Sequence, residues 1–367
     1  MGQHRAVSLM PDTDRVFGVP VPGERPILIT GGSGFIGSHF CRTFDALGQR
    51  YVILDLHAPD ASSRPVRFVR GDIRNRAAIE RALEGCGAVL HLAAAHHDSG
   101  IDTETYYGVN RDATALLVQC MREHAVRSLC FYSSVAVYGS SPVSCTETAP
   151  TTPDSPYGAS KLAAEAVVAS AIRDGDLAAL IIRPTVTFGP GNFANMYSLI
   201  EQIARRRYVH VGPSANRKSL SYVENIVDFT LWAWSRMREP LEVYNWVESP
   251  DLTSREIANH IASALAVRLP RVGIPVQLAL LACLPLELAS RMLGREATVS
   301  RMRIRKLAVC ETVFSSEKAR RLGFSPRVHL EAGIRNMVDW QRGLPSRERI
   351  RRIAPAEPVQ DIEVHGP

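Results

Sequence analysis

The sequence predicts an α/β protein, a doubly wound parallel sheet followed by a smaller C-terminal lobe. Three observations carry this. From Pro26 to about Gly189, short β-rich runs alternate with longer helical ones, the rhythm of βαβ units with helices on both faces of a sheet. Three glycines, Gly31, Gly34 and Gly37, sit where the first of these strands meets its helix. After Gly189 the alternation gives way to longer loops and helices. A chain of 367 residues has length for one large domain or two smaller ones, with an adequate core in either case.

Residues 1–25 read as an irregular leader rich in Pro and Gly. The predicted strands are "PILIT", "YVILDL", "VRFVRG", "AVLHLA", "SLCFYSS" and "LAALIIRP". Helical stretches such as "FIGSHFCRTFDALG", "RNRAAIERALEG" and "TALLVQCMREHA" lie between them. This gives a first domain over 26–189, whose later strands can continue past 189, and a second lobe over most of 190–341. Residues 342–367 read as a flexible tail. No repeat at solenoid period interrupts the pattern.

Hydrophobic residues make up 46% of the chain and charged residues 22%, as in ordinary soluble globular proteins. The net charge of +6 suits a phosphate-bearing ligand as well as it suits nucleic acid. The basic runs, Arg301 to Lys306 and Arg342 to Arg352, lack interleaved aromatics or a reading motif, so no nucleic-acid partner is expected. Cysteines occur singly at Cys41, Cys86, Cys120, Cys130, Cys145, Cys283 and Cys310. An odd count without metal-ligand spacing predicts buried thiols in a reducing compartment. The N-terminus shows no apolar signal segment, and a cytoplasmic location is expected.

One apolar stretch, Val272 to Leu293, raises the question of a membrane. Its charge-free run ends at Leu286 and contains Pro275 and Pro285, which is short of the roughly 18–20 residues that span a bilayer. It reads as a buried or groove-lining helix rather than a transmembrane segment, with docking on a membrane surface as the other reading.

The glycines form Gly-x-x-Gly-x-x-Gly after a strand and at the head of a helix, the setting of a Rossmann-type dinucleotide fingerprint. Gly31 permits a tight turn, Gly34 lets a pyrophosphate approach the backbone, and Gly37 lets the helix pack on the sheet. Phe35 and Ile36 open that helix, whose N–H groups and partial positive charge suit phosphate. Asp55 ends the second strand, where a carboxylate accepts hydrogen bonds from ribose hydroxyls and repels a 2′-phosphate. NAD is therefore expected rather than NADP. Asp72 and Ile73, after the third strand, are expected near the adenine edge.

The chemistry concentrates in "TPDSPYGASKLAAEAVV". Asp154 or Ser155 can cap a helix with Pro156 at its first position. Tyr157 and Lys161 are then four apart on one helix face. A tyrosine ionises near pH ~10, too high for a base at neutral pH. A neighbouring ammonium and a positive nicotinamide ring favour the phenolate and lower that value by about 1–3 units. Two other motifs fail. "HHD", His96 to Asp98, finds no further ligands at metal spacing, and "GGSGF" is not a nucleophile elbow.

"GGSGFIG", "HLAA", "SSVAVYG" and "YGASK" occur in that order and resemble the extended short-chain dehydrogenase/reductases, within them the NAD-dependent epimerase/dehydratase family. The resemblance runs from Pro26 to Gln341. It implies Tyr157 as acid and base, with Lys161 binding the nicotinamide ribose and tuning Tyr157. It implies Ser134 as the hydroxyl that meets the reacting oxygen, and Asn110, Leu92, Ala93, Ala94 and Pro184 along the cofactor. Lys218 occupies the family's diphosphate-binding arginine position, with Arg217 beside it, and Asn192 joins them as an expected substrate contact. Val186 replaces the family's usual substrate asparagine.

The 4,6-dehydratases of the family carry Thr-Asp-Glu where this chain has Ser134, Val135 and Ala136, so dehydration is not expected. The resemblance implies a nucleotide-sugar epimerase like UDP-glucose 4-epimerase, working by transient oxidation of a sugar carbon and hydride return. Arg183-Pro184 and Val186 keep open an NAD(P)-dependent ketoreductase or dehydrogenase of a nucleotide sugar or hydroxysteroid-like substrate. A third reading is a non-catalytic NAD-binding regulator, against which the intact Ser134, Tyr157 and Lys161 set stands. A homodimer is compatible with all three.

Overall fold

The computed structural model of the chain describes residues 17–19, 21–96, 101–140, 143–173, 175, 177–270, 272–283 and 311–345. Most of the leader, His97 and Asp98, the basic run Arg301 to Lys306, the latter half of Val272 to Leu293, and the tail from 346 lie outside the described residues.

The strands are β1 (Ile27–Thr30), β2 (Tyr51–Asp55), β3 (Arg67–Arg70), β4 (Ala88–His91), β5 (Ser128–Tyr132), β6 (Ala178–Pro184), β7 (Val186–Phe188), β8 (Arg217–Lys218), β9 (Leu220–Tyr222), β10 (Leu241–Trp246) and β11 (Leu252–Thr253). The helices used below are α1 (Phe35–Leu47), α2 (Arg76–Leu83), α3 (Thr103–Tyr107), α4 (Ala113–Glu123), α5 (Pro156–Arg173), α6 (Asn195–Ala204), α7 (Val223–Trp234) and α8 (Ser254–Ala264). A π-helical turn, Gly108–Asp112, joins α3 to α4.

Contacts divide the chain into two units, the first comprising Met1–Thr187, Ser219–Asp251 and Glu311–Val328. Its centre is a seven-stranded sheet in the order β10-β6-β5-β4-β1-β2-β3, parallel throughout. The β4 and β6 residues are all buried, which is why Ala88–Leu90 and Ala178–Ile182 read as unbroken apolar runs: helices cover both faces. Successive side chains alternate between two cores. Leu28, Val52, Val89, Leu129 and Ile181 pack with Ile79, Leu117 and Val168 of α2, α4 and α5. Ile29, Ile53, Leu90, Cys130 and Ile182 pack on the other side with Phe40 and Phe44 of α1 and Ile226 and Phe229 of α7. The seventh strand, β10, comes from beyond residue 189 and pairs with β6 from Leu241↔Ala179 to Trp246↔Pro184.

The order of strands reverses between β1 and β4. In open α/β sheets the ligand crevice lies at such a switch point, outside the carboxyl ends of the strands.

The second unit comprises Phe188–Lys218, Leu252–Cys310 and His329–Pro367. In it β8 and β11 pair antiparallel. Thr253 and Glu256 form a capping box on α8, satisfying two N–H groups at the helix start. Phe193 and Tyr197 each meet Trp340 edge to face and each other at a tilt, with centroids 5.1–6.2 Å apart. Gln341, on the helix Leu330–Gly343, donates to Glu201 on α6 over 3.1 Å.

Candidate active site

The glycine turn follows β1. Gly31 has φ +70°, and a Cβ there would stand 2.8 Å from the Ala93 nitrogen; only glycine takes this backbone beside the β4 loop without strain. Gly37 sits in the first turn of α1, where a Cβ would run into the Gly31 carbonyl. No side chain caps α1, whose N-cap is Gly34. The N–H groups at the start of that helix, including those of Phe35 and Ile36, are thus left for an anion. Asp55 accepts from the Ser33 and His57 backbone N–H groups, each over 3.0 Å, so it braces the turn as well as ending β2. Asp72 is held by Arg74, with Nη2 2.7 Å from Oδ2. Ile73, beside it in sequence, has its side chain in the core.

A chain of hydrogen bonds ties this turn to the loop after β4. Ala93 N–H points at Thr30 Oγ1 (3.3 Å), Thr30 Oγ1 lies 2.6 Å from His91 Nδ1, and His91 Nε2 lies 3.0 Å from Thr114 Oγ1. Thr114 in turn donates to the Asn110 carbonyl over 2.6 Å. Since Thr114 gives its only proton to Asn110, His91 must donate from Nε2 and accept at Nδ1, the neutral tautomer. Burial, aided by the charge of Lys161, pushes its pKa down to about 3. Asn110, buried in the π turn, accepts from Ala95 N (2.9 Å) and donates to Ala95 O (3.0 Å) and Ser160 Oγ (2.9 Å). Ser160 donates to the Tyr157 carbonyl over 2.8 Å. Leu92, Ala93 and Ala94 are thereby clamped beside the glycine turn. A π-helical turn at this place is a frequent mark of a functional site.

Helix α5 carries Tyr157 and Lys161, the residues expected to react. Its cap is Ser155, whose Oγ accepts from Gly158 N over 3.1 Å, while Asp154 turns away to Ser140. Tyr157 is half-buried, its ring 6.0 Å from that of Tyr106 on α3. One turn on, Lys161 is 3% exposed, donates to the Tyr132 carbonyl over 2.8 Å, and has its Nζ 5.0 Å from the Phe131 ring centroid. Burial pushes its pKa down to about 7, against the pull of the Glu165 carboxylate. Ser134 starts the 3-10 turn Val135–Tyr138 and accepts from Ala136 N over 3.1 Å, a bond that does not use its hydroxyl proton. Beside it the buried Ser133 Oγ has no hydrogen-bond partner. An orphaned hydroxyl, uncapped helix N–H groups and a glycine cradle at one sheet edge fit a dinucleotide.

Two features escaped the sequence reading. One is the relay through Thr30, His91 and Thr114. The other is an ion pair beneath α5. Arg183 meets Glu165 with both arms (2.9 and 2.6 Å) and donates to Tyr138 Oη (2.7 Å), which donates to Asn245 Oδ1 (2.8 Å). Both charged side chains are 8% exposed. Arg183 is therefore structural here, and Pro184 follows it, buried at the end of β6. Sequence signals existed only as the spacing of Glu165 four residues after Lys161.

Of the expected substrate residues, Asn192, Arg217 and Lys218 belong to the second unit, and Ser134 to the first. Asn192 accepts from Ala194 N over 2.7 Å, and exposed Arg217 and half-buried Lys218 form β8. Val186, on β7, is 52% exposed.

The model of the NAD dependent epimerase/dehydratase family matches residues 27–246. The chain is 32% identical to the N-acetyl-alpha-D-glucosaminyl-diphospho-ditrans,octacis-undecaprenol 4-epimerase of Escherichia coli O157:H7, over 86% of this chain and 95% of that protein. It is 28% identical to a UDP-glucose 4-epimerase of Vibrio cholerae, over 69% and 79% respectively. Among solved structures, the Thermus thermophilus UDP-glucose 4-epimerase in complex with NAD superposes with a TM-score of 0.70 at 24% identity, covering 87% of this chain and all of that one.

Proposed function

Because this chain belongs to the NAD dependent epimerase/dehydratase family, we propose that it inverts C4 of a hexose carried on a diphosphate. The observation that carries the reading is the pairing of Tyr157 and Lys161 on α5 with Ser134, while Val135 and Ala136 offer no acid and base for loss of water. Bound NAD supplies the hydride acceptor and, afterwards, the donor. Gly31, Gly34, Gly37 and the start of α1 would hold its pyrophosphate, and Asp55 its adenosine ribose.

Tyr157 acts as phenolate, taking the C4 hydroxyl proton while the C4 hydrogen leaves with its electron pair. Ser134 donates a hydrogen bond to the same oxygen. Lys161, as ammonium, favours the phenolate electrostatically. After the 4-keto sugar presents its other face, Tyr157 returns the proton to the oxygen as hydride returns to carbon. Arg217 and Lys218 are the cations offered to the diphosphate, Lys218 as a point charge rather than a planar fork. The six described cysteines are free and buried, which supports placing the reaction in the reducing cytoplasm.

Nucleotide and polyprenol carriers present the same diphosphate and hexose, and the named substrate of the Escherichia coli relative is of the second kind. The test offers purified protein UDP-glucose and UDP-N-acetylglucosamine in one arm and polyprenyl-diphospho-N-acetylglucosamine in the other. A C4 epimer in either arm, without added cofactor, is the expected result and names the carrier. Val186 in place of asparagine favours a ketoreductase as second reading. Stoichiometric consumption of added NAD(P)H with a keto substrate, and no epimer in either arm, would establish that reading instead.

A further inference from the structure

In the second unit, the helical residues 276–283 are apolar apart from exposed Gln277. Ala279 and Cys283, one turn apart, are buried at 8% and 3% exposure, while Leu278 and Leu281 stand 57% and 62% exposed. Ile274, four residues before Leu278, is 41% exposed, and Val272 81%. Leu278 and Leu281, three apart, share one side of the helix, and Ile274 is the bridge residue just before it. A surface helix ordinarily turns polar residues to water. Here leucines take that side.

A second segment joins the patch. Ile274 N donates to the His210 carbonyl (2.7 Å), and Gly212 N donates to the Ile274 carbonyl (2.8 Å), forming a parallel bridge of Val211 with Ile274. This brings exposed Val209 (42%) alongside Val272, and with it the exposed arginines Arg205, Arg206 and Arg207. Arg205 is paired with Glu201. Arg268, also exposed, precedes Val272 by four residues. Neither 202–223 nor 257–286 contains an Asp or Glu.

We propose that this apolar and arginine-flanked face of Val209, Val272, Ile274, Leu278 and Leu281 docks on an anionic lipid bilayer. Leucine and valine side chains enter the acyl boundary while arginines meet the headgroup charge, the two-part recognition of interfacial helices. Charge complementarity selects this occupant over a second copy of the chain, since two such faces would bring like-charged arginines together. The inference goes beyond the epimerase reading and does not rest on it. Docking is read without any sugar, although a bilayer is where a polyprenol-carried substrate resides.

The test is co-sedimentation of the full chain with vesicles of phosphatidylglycerol and phosphatidylcholine, against vesicles of phosphatidylcholine alone. Expected is binding to the anionic vesicles that weakens with salt. Leu278→Glu with Leu281→Glu should lower partitioning at least ~10-fold, as should Arg206→Glu with Arg207→Glu. The arginine pair keeps the test valid if the leucine pair disturbs folding, which circular dichroism monitors. No sedimentation of the wild type with anionic vesicles, or equal sedimentation of folded variants, overturns the proposal. A wild-type dimer in light scattering that the leucine pair makes monomeric, without vesicle binding, overturns it in favour of a second copy.

Discussion

In the proposed reaction one atom of Tyr157, its phenolic oxygen, carries the proton transfer. Tyr157→Phe keeps the ring beside Tyr106 and removes only the hydroxyl, so turnover should fall at least ~10²-fold while the purified variant still binds NAD. Unchanged turnover would take Tyr157 out of the mechanism. His91 decides something different, the response of the fold to acid. Its pKa is held at about 3 against an ordinary 6.5, so the folded state stays neutral where the unfolded chain takes up a proton. Stability is full above the unfolded value and is lost as pH falls from there towards 3. Between about pH 7.5 and pH 5 this one residue should cost about 2 kcal/mol. Urea unfolding at both values should show that loss in the wild type and a smaller loss in His91→Gln. An equal loss in the variant would mean that His91 titrates normally.

Helix α5 shows which parts of an element can be read from its own sequence. Ser155, Pro156, Tyr157 and Lys161 are neighbours in the chain, so cap, first turn and reacting face follow from local spacing. The support beneath does not. Glu165 meets Arg183 across 18 residues and Tyr138 meets Asn245 across 107, and such pairs exist only once α5, β6 and β10 have packed. Removing one member of a buried pair strands the other charge. Arg183→Met should cost about 3–5 kcal/mol in urea unfolding, with much of it recovered when Glu165→Met is added. A loss below about 1 kcal/mol for the single change would show that Glu165 is solvated. The same distinction explains the relay: Asn110 was legible by resemblance to a motif, whereas Thr30 and Thr114 acquire meaning only through His91.

At the scale of the molecule, the chain leaves the first unit after Thr187 and returns to it twice. Residues Ser219–Asp251 and Glu311–Val328 rejoin the first unit, and β10 adds the outer strand. Six strands were legible because short apolar runs alternate with helices along most of the chain that carries them, β2 and β3 alone following each other without one. For β10 the sequence offered only an allowance for strands past 189, since what fixes "LEVYNW" in place is register with β6, a long-range pairing. The wandering chain nevertheless preserves a single carboxyl edge at which Gly31, Asp55, Leu92, Ser134 and Pro184 end or follow their strands. The central claim is that hydride leaves C4 and returns to it at this edge without exchange. It is tested by a hexose diphosphate deuterated at C4, incubated with the purified protein and no added cofactor. The C4 epimer should form with its deuterium retained and no net change in nicotinamide absorbance. Loss of the label to water in the epimer formed, or no epimer without stoichiometric NAD(P)H, would contradict it.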